Sequence, residues 1–575
     1  MIKRIWQLTG SYKRYLMICP IMMIGEVLME TLIPLMMGKI VDVGIAQQDL
    51  GYVLRTGGVM VLMSVLSLGF GAGAARFAAV GGAGFAKKAR EALYDKVQTF
   101  SFYNIDRFST ASLVTRMTTD VNNTQIAVMM CSRMLFRAPL MLIIATALAT
   151  HINARLVTVF FVAVPVLAAA IALVMTKAYP RFEAMLKKYD ALNASVQENL
   201  IAIRVVKAFV RSDYEKEKFA KSAEDVRAMQ LRAEKLIIVM MPLMQLVVYT
   251  CICAVLWFGG RQIVVGTMLT GELISFISYV TQILMSLMMI SMLFLNLVLS
   301  RASIERIVEV LDEQPDIRDC AQPVMEIADG SIDFDHVYFS YKKDSQNYVL
   351  SDIDVHIRPG ETIGILGGTG SAKSTFVQLI PRLYDVSQGC VRVGGRDVRT
   401  YDIPALRDAV AMVLQKNVLF SGTIRENLLW GDKDATQEEI EAACRAAQAH
   451  DFIMSFPDGY DTDLGQGGVN VSGGQKQRLC IARALLKHPK IVILDDSTSA
   501  VDTATDARIR QALREQFAGT TTLIIAQRVA SVMDADRIII LNDGRIADIG
   551  THEELLKRNE IYRDVYTSQM KGAVA

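Results

Sequence analysis

The run Val469-Asn470-Val471-Ser472-Gly473-Gly474-Gln475-Lys476-Gln477 sets a hydroxyl, two glycines and an amide at the start of a helical stretch that continues to Leu486. A helix start presents backbone N–H groups without intrahelical partners and the positive end of the helix dipole. Glycines let a phosphate approach the main chain, and Ser472 adds a hydroxyl donor. Ser472, Gly473, Gly474 and Gln475 are therefore candidate phosphate ligands. Standing alone, such a run is more often an ordinary glycine-rich turn. Two other stretches change its meaning. Upstream, the strand-like run 361–367 leads into Gly367-Gly368-Thr369-Gly370-Ser371-Ala372-Lys373-Ser374-Thr375. Downstream, the apolar run Ile491-Val492-Ile493-Leu494 ends in Asp495-Asp496.

These stretches need elements to position them. The chain has 575 residues, 52% of them hydrophobic, and a net charge of +2, which gives no argument for nucleic acid. Mean hydropathy is +0.30. Long apolar runs precede residue 300 and a mixed αβ pattern follows, so a membrane half is joined to a soluble half. Residues 1–13 read as an amphipathic helix lying on the membrane, with no cleavable leader expected. Spans are expected near 15–37, 59–80, 135–150, 156–175, 236–258 and 273–299. Lys/Arg clusters precede the first span and follow the second and fourth, which predicts that both chain termini are cytoplasmic. The 8 cysteines are scattered without metal-ligand spacing and are expected as reduced thiols.

Together the three stretches resemble the signature motif, P-loop and Walker B strand of an ATP-binding-cassette (ABC) ATPase, and the spans ahead of them resemble the membrane domain of ABC exporters. The resemblance implies an α-helical membrane domain, with six transmembrane helices and long cytoplasmic extensions, followed by an α/β P-loop ATPase domain. Its expected boundaries are 1–311, a linker at 312–323, and 324–575. The helical stretches 81–134 and 176–235 would each fold as two helices whose turns, near 103–110 and 209–214, are the coupling helices of such exporters.

The implied cofactors are ATP and Mg²⁺. Lys373 matches the lysine that reaches the β- and γ-phosphates, and Ser374 the hydroxyl that ligates Mg²⁺. Tyr341 stands where an aromatic stacks on adenine, and Gln415 matches the Q-loop glutamine near Mg²⁺. Asp495 would hold Mg²⁺ through water. Ser472–Gln475 would complete the ATP site of a partner chain, and Asp502, at the end of the run 499–502, would link the two sites.

The sequence departs from the pattern at several places. Ala372 replaces a P-loop glycine. Asp496 replaces the usual catalytic glutamate, one methylene longer, and Gln527 replaces the switch histidine. Gln527 can donate a hydrogen bond but cannot carry charge. Gln466 stands where an acidic residue usually precedes the signature. With an intact Val-Ser-Gly-Gly-Gln, this pattern resembles the degenerate-site subunit of a heterodimeric bacterial multidrug ABC exporter. It implies a second half-transporter as partner, membrane lipid around the spans, and a small amphiphilic cargo. A homodimer using Asp496 as a weaker base, and an ABC protein that senses ligand without pumping, are the alternatives. A soluble ABC ATPase is excluded by the spans.

Two features of the spans bear on cargo. Glu26 and Glu30, spaced i,i+4, share one face of the first span. They read either as contacts to a cationic cargo or as partners of a basic group on another span, such as Arg137. Met285, Met288, Met289 and Met292 of the sixth span, with Phe276, Tyr279 and Phe294, read either as an adaptable binding wall or as packing.

Overall fold

The computed structural model describes residues 2–342, 347–497 and 500–574. The chain forms two compact units, Met1–Gln98 with Thr110–Glu313, and Thr99–Ser109 with Gln314–Ala575. The helix entering the linker runs to Asp312, so the break falls at 313/314. The first expected coupling turn clusters with the second unit, through contacts given below.

The first unit contains α1 (Ile2–Leu8), α2 (Lys13–Lys39) running on as the π-helical Ile40–Ile45, and α3 (Leu50–Gln98). After α4 (Phe102–Phe108), which belongs to the second unit, come α5 (Thr110–Thr115), α6 (Val121–Ile152), α7 (Thr158–Ile201), α8 (Ile203–Ala208), α9 (Ser212–Ile238), α10 (Met240–Val264) and α11 (Thr270–Asp312). Among the described residues, 6 helical stretches are long and apolar enough to cross a membrane, as the run lengths predict. At 1.5 Å per residue, the 49-residue α3 is about 73 Å long, well beyond the ~30 Å of a bilayer core.

Near Pro34 of α2, helix α11 places its hydroxyls on the α2 backbone: Ser275 Oγ donates to Pro34 O at 2.7 Å, and Tyr279 Oη to Thr31 O at 2.8 Å. Small residues permit this approach, since a Cβ on Gly271 would stand 2.1 Å from Gly38 O. Phe276 and Tyr279 are fully buried in this helix packing, so they are core rather than part of a binding wall. Met288 packs against the same core and Met289 is half-buried, while Met285, Met292 and Phe294 are exposed.

Arg137 of α6 bridges both carboxylates of α2, bonding Glu26 and reaching Glu30 Oε2 at 2.9 Å. A Cβ on Gly71 of α3 would lie 3.1 Å from the Glu26 carboxyl carbon, so the glycine leaves room for it. The structure thus pairs Glu26 and Glu30 with another span. Removing one member of a partly buried charge cluster strands the others. Arg137→Met is expected to destabilise the full chain by about 1–3 kcal/mol, the cost of leaving a charged group without its partner. Adding Glu26→Gln and Glu30→Gln to that variant should recover most of the loss, read as thermal unfolding in lipid nanodiscs.

In the second unit, β1 (Ile332–Phe339), β2 (Leu350–Ile357), β4 (Gln388–Val393) and β5 (Arg396–Asp397) form an antiparallel sheet in the order β2-β1-β4-β5. The main sheet has the order β12-β11-β3-β10-β9-β6, from β3 (Thr362–Leu366), β6 (Val410–Val413), β9 (Ile491–Asp495), β10 (Thr521–Ile525), β11 (Arg537–Asn542) and β12 (Arg545–Gly550). A short pair, β7 (Gly422–Thr423) with β8 (Asp463–Leu464), lies apart from both. Every residue of β9 and β10 is buried, as continuous apolar runs in a parallel sheet covered on both faces should be.

The helices are α12 (Lys373–Gln378), α13 (Ile403–Ala409), α14 (Ile424–Leu428), α15 (Gln437–Ala446), α16 (His450–Met454), α17 (Gly473–Leu485), α18 (Thr503–Gln516), α19 (His552–Arg558) and α20 (Glu560–Val574). In the parallel register, Ile525 pairs with both Ile365 and Asp495. The ends of β3, β10 and β9 therefore stand level at one sheet edge, where ligands of open α/β sheets bind.

Candidate functional site

The loop 367–372 leaves β3 at that edge. Gly370 has φ +85° and Ala372, the residue before α12, has φ +69° and ψ 23°. Both are left-handed. Glycine adopts this conformation freely, whereas an alanine there is strained by on the order of 1 kcal/mol. The departure at Ala372 thus has a backbone origin. Gly368 and Thr369 are exposed on the loop, and Ser371 is buried with its Oγ donating to Gly368 O at 2.9 Å. Lys373 Nζ donates to Gly367 O at 2.9 Å and to Gly368 O at 2.8 Å. Burial pulls the Lys373 ammonium below its ordinary value, with Asp496 and Asp495 opposing the shift.

Ser374 Oγ donates to Asp495 Oδ1 at 3.0 Å. Asp495 is buried, and that burial pushes its carboxyl above the usual range; Ser374 and Lys373 pull it back and Asp496 adds to the push. The fold therefore holds a carboxylate it does not fully neutralise. A hydroxyl and a carboxylate, with the amide oxygen of Gln415 nearby in chain topology, suit Mg²⁺, a hard cation that takes oxygen ligands. Gln415 is exposed, two residues past β6, whose Val413 pairs with Leu494 of β9. A bound Mg²⁺ would supply positive charge to Asp495 and to phosphate oxygens.

Asp496 has φ +47°, tolerable for aspartate, and its N–H donates to Ile525 O at 3.1 Å. Gln527 Nε2 donates to Asp496 Oδ2 at 3.0 Å. Two of the four departures, Asp496 and Gln527, thus bond to each other.

The signature turn is a capping box. Ser472 Oγ accepts from Gln475 N–H at 3.3 Å, and Gln475 Oε1 accepts from Ser472 N–H at 2.8 Å. A Cβ on Gly474 would stand 2.8 Å from Ala500 O, and one on Gly473 3.6 Å from the Ala500 Cβ. Buried Gln477 ties the same two segments, its Oε1 accepting from Ala500 N–H at 3.0 Å. Asp502 caps α18 by accepting from Thr505 N–H at 3.0 Å, a bond that lowers its pKa. Ser499 lies outside the described residues. Gln466 is exposed in the loop ahead of the signature.

Tyr341 Oη lies 3.0 Å from Thr375 Oγ1, which sets this aromatic against the phosphate-loop helix. Its ring meets Tyr384 edge-on at 5.2 Å. Tyr384 Oη in turn donates to Asp106 Oδ2 of α4 at 2.8 Å, and its ring lies 6.1 Å from Phe102. Ser101 bonds Asp316, and Asn104 Nδ2 donates to Gln314 O at 3.5 Å. These contacts place α4 in the second unit. Sequence reasoning gave no role to Tyr384, to Asp106 inside the expected coupling turn, or to Gln477 at the end of the signature run, since their partners lie far off in the chain.

A nucleotide-binding edge and a set of membrane-length helices on one chain define an ATP-driven membrane transporter. Residues 16–287 match the ABC transporter transmembrane region and residues 350–499 the ABC transporter family model. The chain belongs to the ABC transporter family, in its exporter type. It is 39% identical over 551 residues to the ABC transporter ATP-binding protein YfiB of Bacillus subtilis, covering 96% of this chain and 95% of that protein. It is 34% identical over 491 residues to the ATP-dependent lipid A-core flippase of Alkalilimnicola ehrlichii, covering 84% and 82%. A bacterial Atm1-family ABC exporter with ATP bound has the same fold, with a TM-score of 0.84 at 24% identity over 97% of this chain and 99% of that one.

Two outcomes test the site. Ala372→Gly should stabilise the full chain by about 1 kcal/mol and tighten Mg·ATP binding, read by thermal unfolding with and without nucleotide. For Asp495, the folded pKa lies above the unfolded one, so the ionised carboxylate weakens the fold. That penalty is absent below the ordinary aspartate pKa and grows as pH rises towards the folded value. Asp495→Asn should therefore leave the nucleotide-free chain at least as stable at pH 7 and flatten this pH dependence, while abolishing stabilisation by Mg·ATP.

Proposed function

We propose that this chain is the degenerate-site half of a heterodimeric exporter that moves small amphiphilic molecules, drugs or lipids, outward across the cytoplasmic membrane at the expense of ATP. Its termini face the cytoplasm, where the Lys/Arg clusters lie. The observation that carries the reading is the bond from Gln527 to Asp496. A general base must aim at water, and this carboxylate, already one methylene short, is engaged by a neutral amide. A misplacement of ~1 Å can lower a rate on the order of a hundredfold. In this reading ATP binds at Tyr341, Gly367–Thr375 and Gln415 with Mg²⁺ at Ser374, Gln415 and Asp495, and is hydrolysed slowly there. The intact Ser472–Gln475 turn and Asp502 serve the partner's catalytic site.

Support for a partner half-transporter comes from the α7–α9 hairpin, whose tip exposes Ile201, Phe209 and Val210, at 78%, 75% and 86% of their surface. Such an apolar tip fits burial against another chain better than water. Support for lipid among the cargoes comes from the flippase relative. The exposed Met285 and Met292, with Met289 beside them, offer an adaptable surface for such cargo.

Mg·ATP turnover by the full chain alone in lipid nanodiscs should be near zero while ATP still binds. In the assembled transporter, blocking Ser472 or Gly473 should abolish turnover and Asp496→Asn should change it little. Robust turnover by the chain alone, or loss of turnover in Asp496→Asn as complete as in the signature variants, would instead make this a homodimer with Asp496 as its base.

A further inference from the structure

Forty-two residues beyond the switch position, helix α20 reaches back to it. Gln569 Nε2 donates to Gln527 O at 2.9 Å, and Gln569 Oε1 accepts from Val529 N–H at 2.8 Å. Between those two points Arg528 is extended, with φ −96° and ψ 126°. In an extended segment the C=O of one residue and the N–H two residues on point the same way, which is how a neighbouring strand pairs with it. The Gln569 amide takes the place of that strand, donating once and accepting once. The asparagine and glutamine amides carry both functions side by side on one planar group.

Both ends of this clasp are anchored. On its own side, Tyr562 is fully buried, His552 Nδ1 lies 2.6 Å from its hydroxyl, and Val565 and Tyr566 pack on the core. On the switch side, Val529 is buried, and the buried Ser531 Oγ donates to Asp506 Oδ2 at 2.9 Å, on the helix that Asp502 caps. The backbone at 527–531 is thus fixed from two directions, and the Gln527 side chain leaves it towards Asp496.

We propose that Gln569 is a positioning residue of the ATP site: helix α20 holds the switch loop so that Gln527 stays on Asp496 and faces the γ-phosphate end of the nucleotide. The inference rests on the reading of Gln527 as the γ-phosphate-facing switch residue. It distinguishes the two ends of the nucleotide, because only a ligand with a γ-phosphate reports on the clasp.

The test is equilibrium binding of AMP-PNP and of ADP, each with Mg²⁺, to the full chain in lipid nanodiscs. Gln569→Ala should weaken AMP-PNP binding roughly fivefold, the equivalent of about one net hydrogen bond, and leave ADP affinity unchanged. Gln569→Glu, which can accept but not donate, should also weaken AMP-PNP selectively. Gln527→Ala should weaken AMP-PNP, and adding Gln569→Ala to it should change nothing further, since the two act through one contact. Thr551→Ala removes the cap of α19 and loosens the same C-terminal segment without touching the loop; it should lower the melting temperature and leave AMP-PNP affinity unchanged. Equal losses for ADP and AMP-PNP, wild-type binding by Gln569→Ala, additive effects with Gln527→Ala, or a Thr551→Ala variant as weak as Gln569→Ala would overturn the proposal. A Gln527→Ala variant that binds AMP-PNP like wild type identifies failure of the underlying reading, and a Gln569 effect surviving in that case would not run through Gln527.

Discussion

Asp495 ends a strand whose five residues are all buried, and its carboxylate takes a hydrogen bond from Ser374 while Lys373 stands near enough to shift it. Moving a carboxylate out of water is expensive unless it is paired and hydrogen-bonded. Here the compensation is partial, which leaves the carboxyl with a raised pKa and an affinity for positive charge. The parallel register brings the phosphate loop and the switch loop to the same edge, because β3 and β9 both pair with β10. What the apolar strands stabilise by burial is thus set against a charge that a cation bound at the site would relieve, as expected where function opposes stability.

The membrane unit handles buried charge differently. Arg137 meets both Glu26 and Glu30, so the cluster is largely paired within the helices themselves. Its surplus of one carboxylate remains, and Glu26 Oε2 is buried without a hydrogen-bond partner in the described residues. The buried hydroxyls of Tyr279 and Ser275 are likewise satisfied within the protein, on backbone carbonyls of α2.

Segment Thr99–Ser109 is flanked in sequence by long membrane-unit helices yet packs as part of the ATPase unit. Tyr384 is one tie, its ring meeting Tyr341 on one side and its hydroxyl Asp106 on another, beside the bonds of Ser101 to Asp316 and of Asn104 to Gln314. Burial, and then the Asp106 carboxylate, push the Tyr384 hydroxyl well above its usual pKa, so it remains a donor at all physiological pH. Tyr341, beside the phosphate-loop helix, and α4 therefore share one side chain.

Run length located the membrane helices, and the resemblance of short motifs to those of ABC ATPases located the phosphate loop, the signature turn and the departures at Asp496 and Gln527. Those are local properties: a span needs only consecutive apolar residues, and a phosphate loop only its own glycines, lysine and hydroxyl. The sequence also showed that Ala372 breaks the loop pattern, but not that the backbone there is left-handed, because φ is set by how β3 and α12 join. It offered Arg137 as one of two roles for Glu26 and Glu30, and packing of α6 on α2 chose between them. It read Phe276 and Tyr279 together with the methionines of the sixth span, since residues spaced along one helix carry no mark of which neighbour covers them; α2 and α7 cover these two. The bonds of Gln527 to Asp496, of Tyr384 to Asp106 and of Gln569 to the switch loop join residues 31, 278 and 42 or 40 positions apart. Only tertiary structure decides such pairs, because no local propensity or period connects residues that meet solely through the packing of the elements between them.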